Sequence, residues 1–132
     1  MPINTPTRLY KDIDLSFSMN PNTKDISKKL DVQAVKQALK ILMNTQFYEK
    51  PFDPLYGSNI RRMLFEPFGR STASMLSNEI DNAITTYEPR VKVEEVICTP
   101  NIDQHTYDVE IRFYVIGITQ IQSMGVVLER LR

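Results

Sequence analysis

A 132-residue chain with one histidine, His105, and one cysteine, Cys98, has few routes to covalent or metal chemistry. One imidazole cannot build a paired-histidine motif such as His-Glu-x-x-His, and one thiol cannot build a disulfide framework or a multi-cysteine zinc site. His105 lies outside any Ser/Cys–His pattern and reads as a solvated turn residue. Cys98 falls in a strand-like stretch and reads as a small buried apolar group rather than a reactive thiol. Gly57, Gly69, Gly117 and Gly125 are scattered, so there is neither a G-x-G-x-x-G nor a P-loop to hold phosphate. No metal and no cofactor is expected.

Carboxylates are the remaining raw material. A glycosidase needs two of them about 5–9 Å apart across a sugar-sized cleft. Asp53, Glu66 and Glu88 can be assembled on paper, but any chain with sixteen acids offers such triples. Without an accompanying motif they read as solvated or ion-paired, and no catalytic residue is assigned. Glu88-Pro89-Arg90 is different in kind. Proline stiffens the backbone, and in an extended tripeptide the flanking side chains project to the same side about 6–7 Å apart. An acid and a base would then stand side by side on a support whose ordering cost is already met, which suits partner binding. The alternative is that Glu88 only ends a helix and Arg90 pairs locally with Glu94.

The elements that must position these residues can be read from periodicity. Val32, Val35, Leu39, Leu42 and Met43 recur at helical spacing behind a possible Asp31 cap, predicting a core helix of about 13 residues. Gln46 to Gly69 is a connection broken by Pro51 and Pro54, with a short helix after Ser58 as its cap and Ile60, Met63 and Leu64 on one face. Its Phe47, Phe52, Tyr56, Phe65 and Phe68 predict a fixed aromatic plug. Ala73, Leu76, Ile80, Ile84 and Tyr87 predict a second long helix over Ser71 to Tyr87, stopped by Pro89.

Strands follow. Val91 and Val93 alternate with Lys92, the phase slips at Glu94-Glu95 in the manner of a β-bulge, and Pro100 to His105 reads as a hairpin connection. Tyr107, Val109, Ile111, Phe113 and Val115 share one face of the strongest strand, which makes them core rather than a base-stacking surface. Gly117 allows a turn, and Val126, Val127 and Leu128 belong to a final strand ending near Leu131. Ahead of all this, Ile13, Leu15, Phe17 and Met19 alternate in an arm punctuated by Pro2, Pro6 and Pro21, the period of a half-buried extended segment. The expected fold is α+β: two main helices on one face of a small antiparallel meander, with an extended N-terminal arm. The expected organisation is one domain over 1–132, divided into an arm (1–30), a helical part (31–88) and a β-meander (91–132).

Composition narrows the partners. The content of 42% hydrophobic and 24% charged residues is ordinary for a globular domain. Sixteen Lys+Arg against sixteen Asp+Glu argues against a generic nucleic-acid or anionic-membrane binder. No stretch approaches the roughly 20 apolar residues of a membrane span, and Met1 to Asp14 has no apolar run to act as a signal peptide, so a cytosolic origin is expected.

Several short motifs occur in order: Leu9-Tyr10-Lys11-Asp12-Ile13-Asp14, Asp25-Ile26, Pro51-Phe52-Asp53-Pro54-Leu55-Tyr56-Gly57, Leu64-Phe65-Glu66 and Tyr87-Glu88-Pro89-Arg90. In this order and spacing they resemble the baseplate wedge and sheath-initiator family of T-even-like contractile-tailed phages, which also includes a subunit of type VI secretion baseplates and often carries a lysozyme-like label. Only Met1 to Arg8 and Gly117 to Met124 depart from the pattern. The resemblance implies a non-enzymatic structural subunit of a virion tail baseplate, assembled in the host cytoplasm at about six copies per baseplate. It implies contacts with other wedge subunits, tail sheath protein and tail tube or hub proteins. It further implies that Glu88, Pro89 and Arg90 hold the subunit to the wedge's helical core, and that the sheet templates the first sheath ring. The strand edge Val126, Val127, Leu128, Glu129 and Arg130 carries no proline and is the expected sheath contact, the alternative being an ordinary final strand whose edge the N-terminal arm covers. A tail-associated peptidoglycan glycosidase and a secretion-system sheath initiator are the rival readings.

Overall fold

The computed structural model describes residues 32–130 and, before them, Lys11–Ile13, Leu15, Met19, Pro21, Asn22, Lys24 and Lys28–Leu30. The architecture is α+β. Strands β1 (Lys11–Ile13) and β2 (Lys28–Leu30) pair antiparallel, helices α1 (Val32–Asn44), α2 (Ile60–Met63) and α3 (Arg70–Tyr87) follow, and strands β3 (Val91–Asn101), β4 (Thr106–Val115) and β5 (Gln122–Glu129) form an antiparallel sheet in the order β3-β4-β5.

The central strand shows why the layers form. Tyr107, Val109, Ile111, Phe113 and Val115 alternate along β4 and are all buried, while Asp108, Glu110 and Arg112 between them are exposed. One face of the sheet is therefore apolar and needs a cover. The helices provide it: α1 buries Ala34, Val35, Leu39, Leu42 and Met43, and α3 buries Ala73, Leu76, Ile80, Ala83 and Ile84 into the same core. Each large aliphatic side chain removed from water in this layer contributes roughly 1.5–3 kcal/mol. On the open face, the Arg112 guanidinium reaches Glu110 at 3.1 Å and Glu95 at 3.6 Å. The β3–β4 register shifts between Val93 and Glu95, so the bulge read from the sequence is present.

Several expectations change. The hairpin connection is shorter than predicted, because Pro100 pairs with Tyr107 and Asn101 with Thr106 inside the ladder. Proline is tolerated there because β3 is an edge strand. Ser58 does not cap α2. Its buried hydroxyl donates to the Met43 carbonyl at the end of α1, and Asn59 becomes the N-cap residue, its amide donating to the Glu79 carboxylate of α3 at 2.8 Å. Strand β5 begins at Gln122, earlier than its Val126–Leu128 run suggests. Along the arm, Ile13, Leu15 and Met19 are exposed rather than half-buried. Backbone bonds hold it instead: the Gln37 side-chain amide donates to the Ile13 carbonyl at 2.7 Å, and its oxygen accepts the Leu15 amide at 3.3 Å. Pro2, Pro6, Leu9, Tyr10, Asp14, Phe17, Asp25, Ile26, Asp31 and Leu131 lie outside the described residues.

The aromatic connection is only partly a plug. Tyr56 and Phe68 pack against the core, but Phe47, Phe52 and Phe65 are exposed. The core volume between helices and sheet is already filled by aliphatic residues and by Tyr107 and Phe113, so these rings are turned out.

Candidate partner-binding site

Helix α3 ends at Tyr87 because Pro89 pushes the residue before it out of helical geometry; Glu88 sits at φ −120° and ψ 87° while its amide still donates to the Ile84 carbonyl. The Val91 amide closes the turn onto the Glu88 carbonyl at 3.3 Å, and the Arg90 carbonyl accepts the Ile116 amide at 2.9 Å. The tripeptide backbone is thus fixed on both sides. Its side chains form a two-pronged ion pair, Arg90 Nε to Glu88 Oε1 at 2.7 Å and Arg90 Nη2 to Glu88 Oε2 at 2.9 Å. The acid and base do meet, but across a turn at Pro89 and Arg90 rather than along the extended tripeptide expected from the sequence, and Glu88 rather than Glu94 is the carboxylate that grips Arg90. Both are more enclosed than a purely surface motif would be: the Glu88 side chain is 10% exposed and that of Arg90 25%.

The Pro51-to-Gly57 motif meets this pair in space, a convergence that the sequence gives no means of seeing. The Tyr56 ring packs edge-on against Tyr87 at 5.4 Å, the Tyr87 hydroxyl donates to the Leu55 carbonyl, and the Lys50 ammonium lies 4.2 Å over the Tyr56 ring. Burial holds the Tyr56 phenol above its ordinary pKa, the Glu88 and Asp53 carboxylates raise it further, and Arg90 opposes them.

The same loop carries two aromatic residues in left-handed backbone, Tyr48 at φ 66° and Phe52 at φ 67°. Such positions cost bulky residues of order 1–3 kcal/mol and persist only when the surroundings impose them. Here the Tyr48 amide donates to Pro54 at 2.7 Å, the Gln46 amide to the Glu49 carboxylate at 2.8 Å and the Ser58 amide to Thr45 at 2.9 Å. Gly57, at φ 140°, is so close to Gln46 that an added Cβ would stand 2.7 Å from its carbonyl carbon. The result is a braced loop, the one that carries Tyr56, with Phe52 fully exposed and Tyr48 79% exposed.

The second sequence-derived surface is the β5 edge. Val126 turns half inward and Leu128 is buried, whereas Val127 is 61% exposed and Glu129 and Arg130 are exposed. Arg130 lies just past the strand, its amide donating to the His105 carbonyl at 3.2 Å. A groove of about 830 Å³ separates β5 from α1, with Lys36, Lys40 and Ile41 on the helical wall and Met124 to Val127 on the strand wall. Sequence reasoning placed neither Met124 and Gly125 nor any residue of α1 at this edge.

Residues 30–120 match the family described as Baseplate wedge protein gp25. The baseplate wedge protein gp25 of Enterobacteria phage T4 is 38% identical over 109 residues, an alignment covering 83% of this chain and 82% of the phage protein. The chain belongs to the baseplate wedge protein family. It is accordingly a structural subunit of a contractile-tail baseplate, located in the virion tail.

Solved structures share the wedge-protein fold. A Geobacter sulfurreducens protein described as a putative tail lysozyme superposes with a TM-score of 0.69 at 18% identity, covering 74% of this chain and 89% of that one. A chain of the anti-feeding prophage baseplate gives 0.64 at 20% identity, covering 93% and 87%. A chain of the type VI secretion baseplate gives 0.59 at 19% identity, covering 70% and 88%.

The acids of this wedge protein are not arranged as a glycosidase pair. Asp53 and Glu66 are exposed, and both Glu88 oxygens are engaged by Arg90. The cavity beside the loop, about 320 Å³, is lined by Ile41, Thr45, Glu49, Lys50 and Tyr56 and by none of the three. Among the described residues no group of three or more His, Cys, Asp or Glu could hold a metal ion, and no helix is long and apolar enough to cross a membrane. Burial and Asp108 push the Cys98 thiol up to about 11, away from thiolate reactivity.

The Tyr56 phenol offers a spectroscopic report on the ion pair. Glu88→Gln should lower its ionisation midpoint, because a raising charge is lost and Arg90 is left unopposed; Arg90→Gln should raise it. The phenol's stabilising contribution is fully present below pH 10.0 and is lost as pH rises through the higher folded value. Ultraviolet titration of the two variants checks the signs, and shifts in the same direction would contradict the geometry.

Proposed function

We propose that this wedge protein docks on the helical core of its baseplate wedge through Glu88, Pro89 and Arg90, and templates the first ring of tail sheath by strand addition at β5. Its contacts are other wedge subunits on one side and sheath, tube or hub proteins on the other, at six copies per baseplate as cyclic wedge symmetry suggests; the related prophage baseplate is six-fold symmetrised. The observation that carries the reading is the outer edge of β5, which no described strand pairs with, in a three-stranded sheet whose opposite edge strand, β3, starts from a rigid junction that presents a paired acid and base. An open edge offers unpaired N–H and C=O groups to a partner strand, and Val126–Leu128 has neither a proline nor an inward charge to block one. The protein does no catalysis in this reading, a view supported by Glu88 being committed to Arg90 on both oxygens.

Docking and folding separate experimentally. Arg90→Ala should weaken wedge binding by about 2–5 kcal/mol, the range for truncating one member of a desolvated charge pair. Glu88→Ala should weaken binding too, but it also costs the isolated chain roughly 1–3 kcal/mol by leaving a partly buried guanidinium without its carboxylate. Phe52→Ala should leave melting unchanged while reducing binding. Calorimetric melting alongside wedge-binding titrations checks all three, and a set of variants that melts early yet binds normally per folded molecule would make the motif a helix stop only.

The strand edge is tested by a proline scan across Gln122–Glu129. At least one variant should fold, enter baseplates and leave tubes bare of sheath in electron micrographs; normal sheath from every folded variant would reject edge pairing. Purified protein should leave peptidoglycan intact across a broad pH range, and turnover abolished by Asp53→Asn, Glu66→Gln or Glu88→Gln would establish the glycosidase instead.

A further inference from the structure

The β5 edge is half of a groove whose other half is a helix. Asn44 of α1 borders both the main groove and a smaller recess of about 290 Å³ that reaches Val127, Leu128 and Glu129. The C-terminal end of α1 therefore lies by the C-terminal half of β5, and the helix runs alongside the strand. Lys36 and Lys40 line the helical wall, Arg61 lines the recess, and among the described residues no Asp or Glu lines the main groove. No carboxylate among the described residues pairs with Lys36 or Lys40.

The spacing selects a shape of ligand. Lys36 and Lys40 are one turn apart, about 6 Å along the axis at 1.5 Å per residue. Alternate side chains of an extended strand lie about 6.5 Å apart. A strand added to β5 would present every second side chain to the same face, and two carboxylates at alternate positions would match the two ammonium groups. Gln37, between the lysines, already holds the arm's own backbone at Ile13 and Leu15, and Leu15 lines one end of the groove.

We propose that α1 reads the charge of the incoming strand: the groove takes an extended segment of the sheath subunit bearing carboxylates at alternate positions, gripped by Lys36 and Lys40 while its backbone pairs with β5. This rests on the sheath-templating reading and adds the chemistry of the partner. The lysines decide which strand is admitted, because a cationic or apolar segment would leave them unpaired in a partly enclosed groove.

The test uses assembled baseplate–tube complexes, scored for sheath by electron microscopy after addition of the sheath subunit, with counts normalised to baseplates that contain the variant. Lys36→Glu with Lys40→Glu should cut sheathed tubes more than tenfold, Lys36→Arg with Lys40→Arg should retain them, and raising salt should slow initiation on the unsubstituted protein. Should the doubly acidic variant fail to assemble, Lys36→Gln with Lys40→Gln decides, with a several-fold loss expected. Normal initiation by the acidic or amide pair overturns the proposal. So does a drop in melting temperature with normal initiation, which would assign the groove to the chain's own residues before Val32. If sheath also forms on every folded β5 proline variant, the edge-pairing reading itself fails; if only the lysine variants behave normally, that reading stands and charge selection falls.

Discussion

The ion pair between Glu88 and Arg90 fastens the helical layer to the sheet. It spans the two residues flanking Pro89, where α3 must stop and β3 must begin, and its two short hydrogen bonds hold that reversal in one geometry. Removing both charges partly from water is costly, and the forked geometry offsets the cost only because each carboxylate oxygen receives its own N–H. A pair of this kind contributes more to a unique geometry than to net stability. What it fixes here is the start of β3, and through the Arg90 carbonyl the Ile116 turn that leads towards β5.

The loop from Gln46 to Ser58 stores strain next to that pair. Two aromatic residues occupy left-handed backbone, Gly57 is wedged against Gln46, and three short hydrogen bonds brace the turn. The fold gains little from rings held in water, since Phe52 and Tyr48 bury almost nothing within the chain. Pre-organised exposed aromatics lower the ordering cost of an interface, and Tyr56 of the same loop, packed against Tyr87, joins the loop to the helix end that carries the ion pair.

Local patterns carried far in the sequence where one periodicity decided the outcome. The β4 alternation, the stripes of α1 and α3, the stop at Pro89 and the slip at Glu94-Glu95 are all set within a few residues, and all are present. What was not legible depends on distant contacts. Ser58 has the right chemistry for a cap, yet Glu79, twenty residues on, takes the Asn59 amide and Ser58 turns to Met43. An aromatic-rich loop reads alike whether its rings point in or out, because only the filled core decides. Glu88 and Arg90 could be seen to stand together, but they meet across a turn rather than along an extended tripeptide, and their enclosure comes from elements packed around them. The α1–β5 groove joins residues about ninety positions apart, which no spacing rule connects.

A reconstruction of the assembled baseplate at side-chain resolution tests the central claim most directly. The account predicts the Glu88–Arg90 pair and Phe52 buried against wedge helices, with a sheath strand continuing the sheet at β5. A well-ordered subunit whose ion pair faces solvent, with β5 unpaired in a sheathed tail, would contradict it.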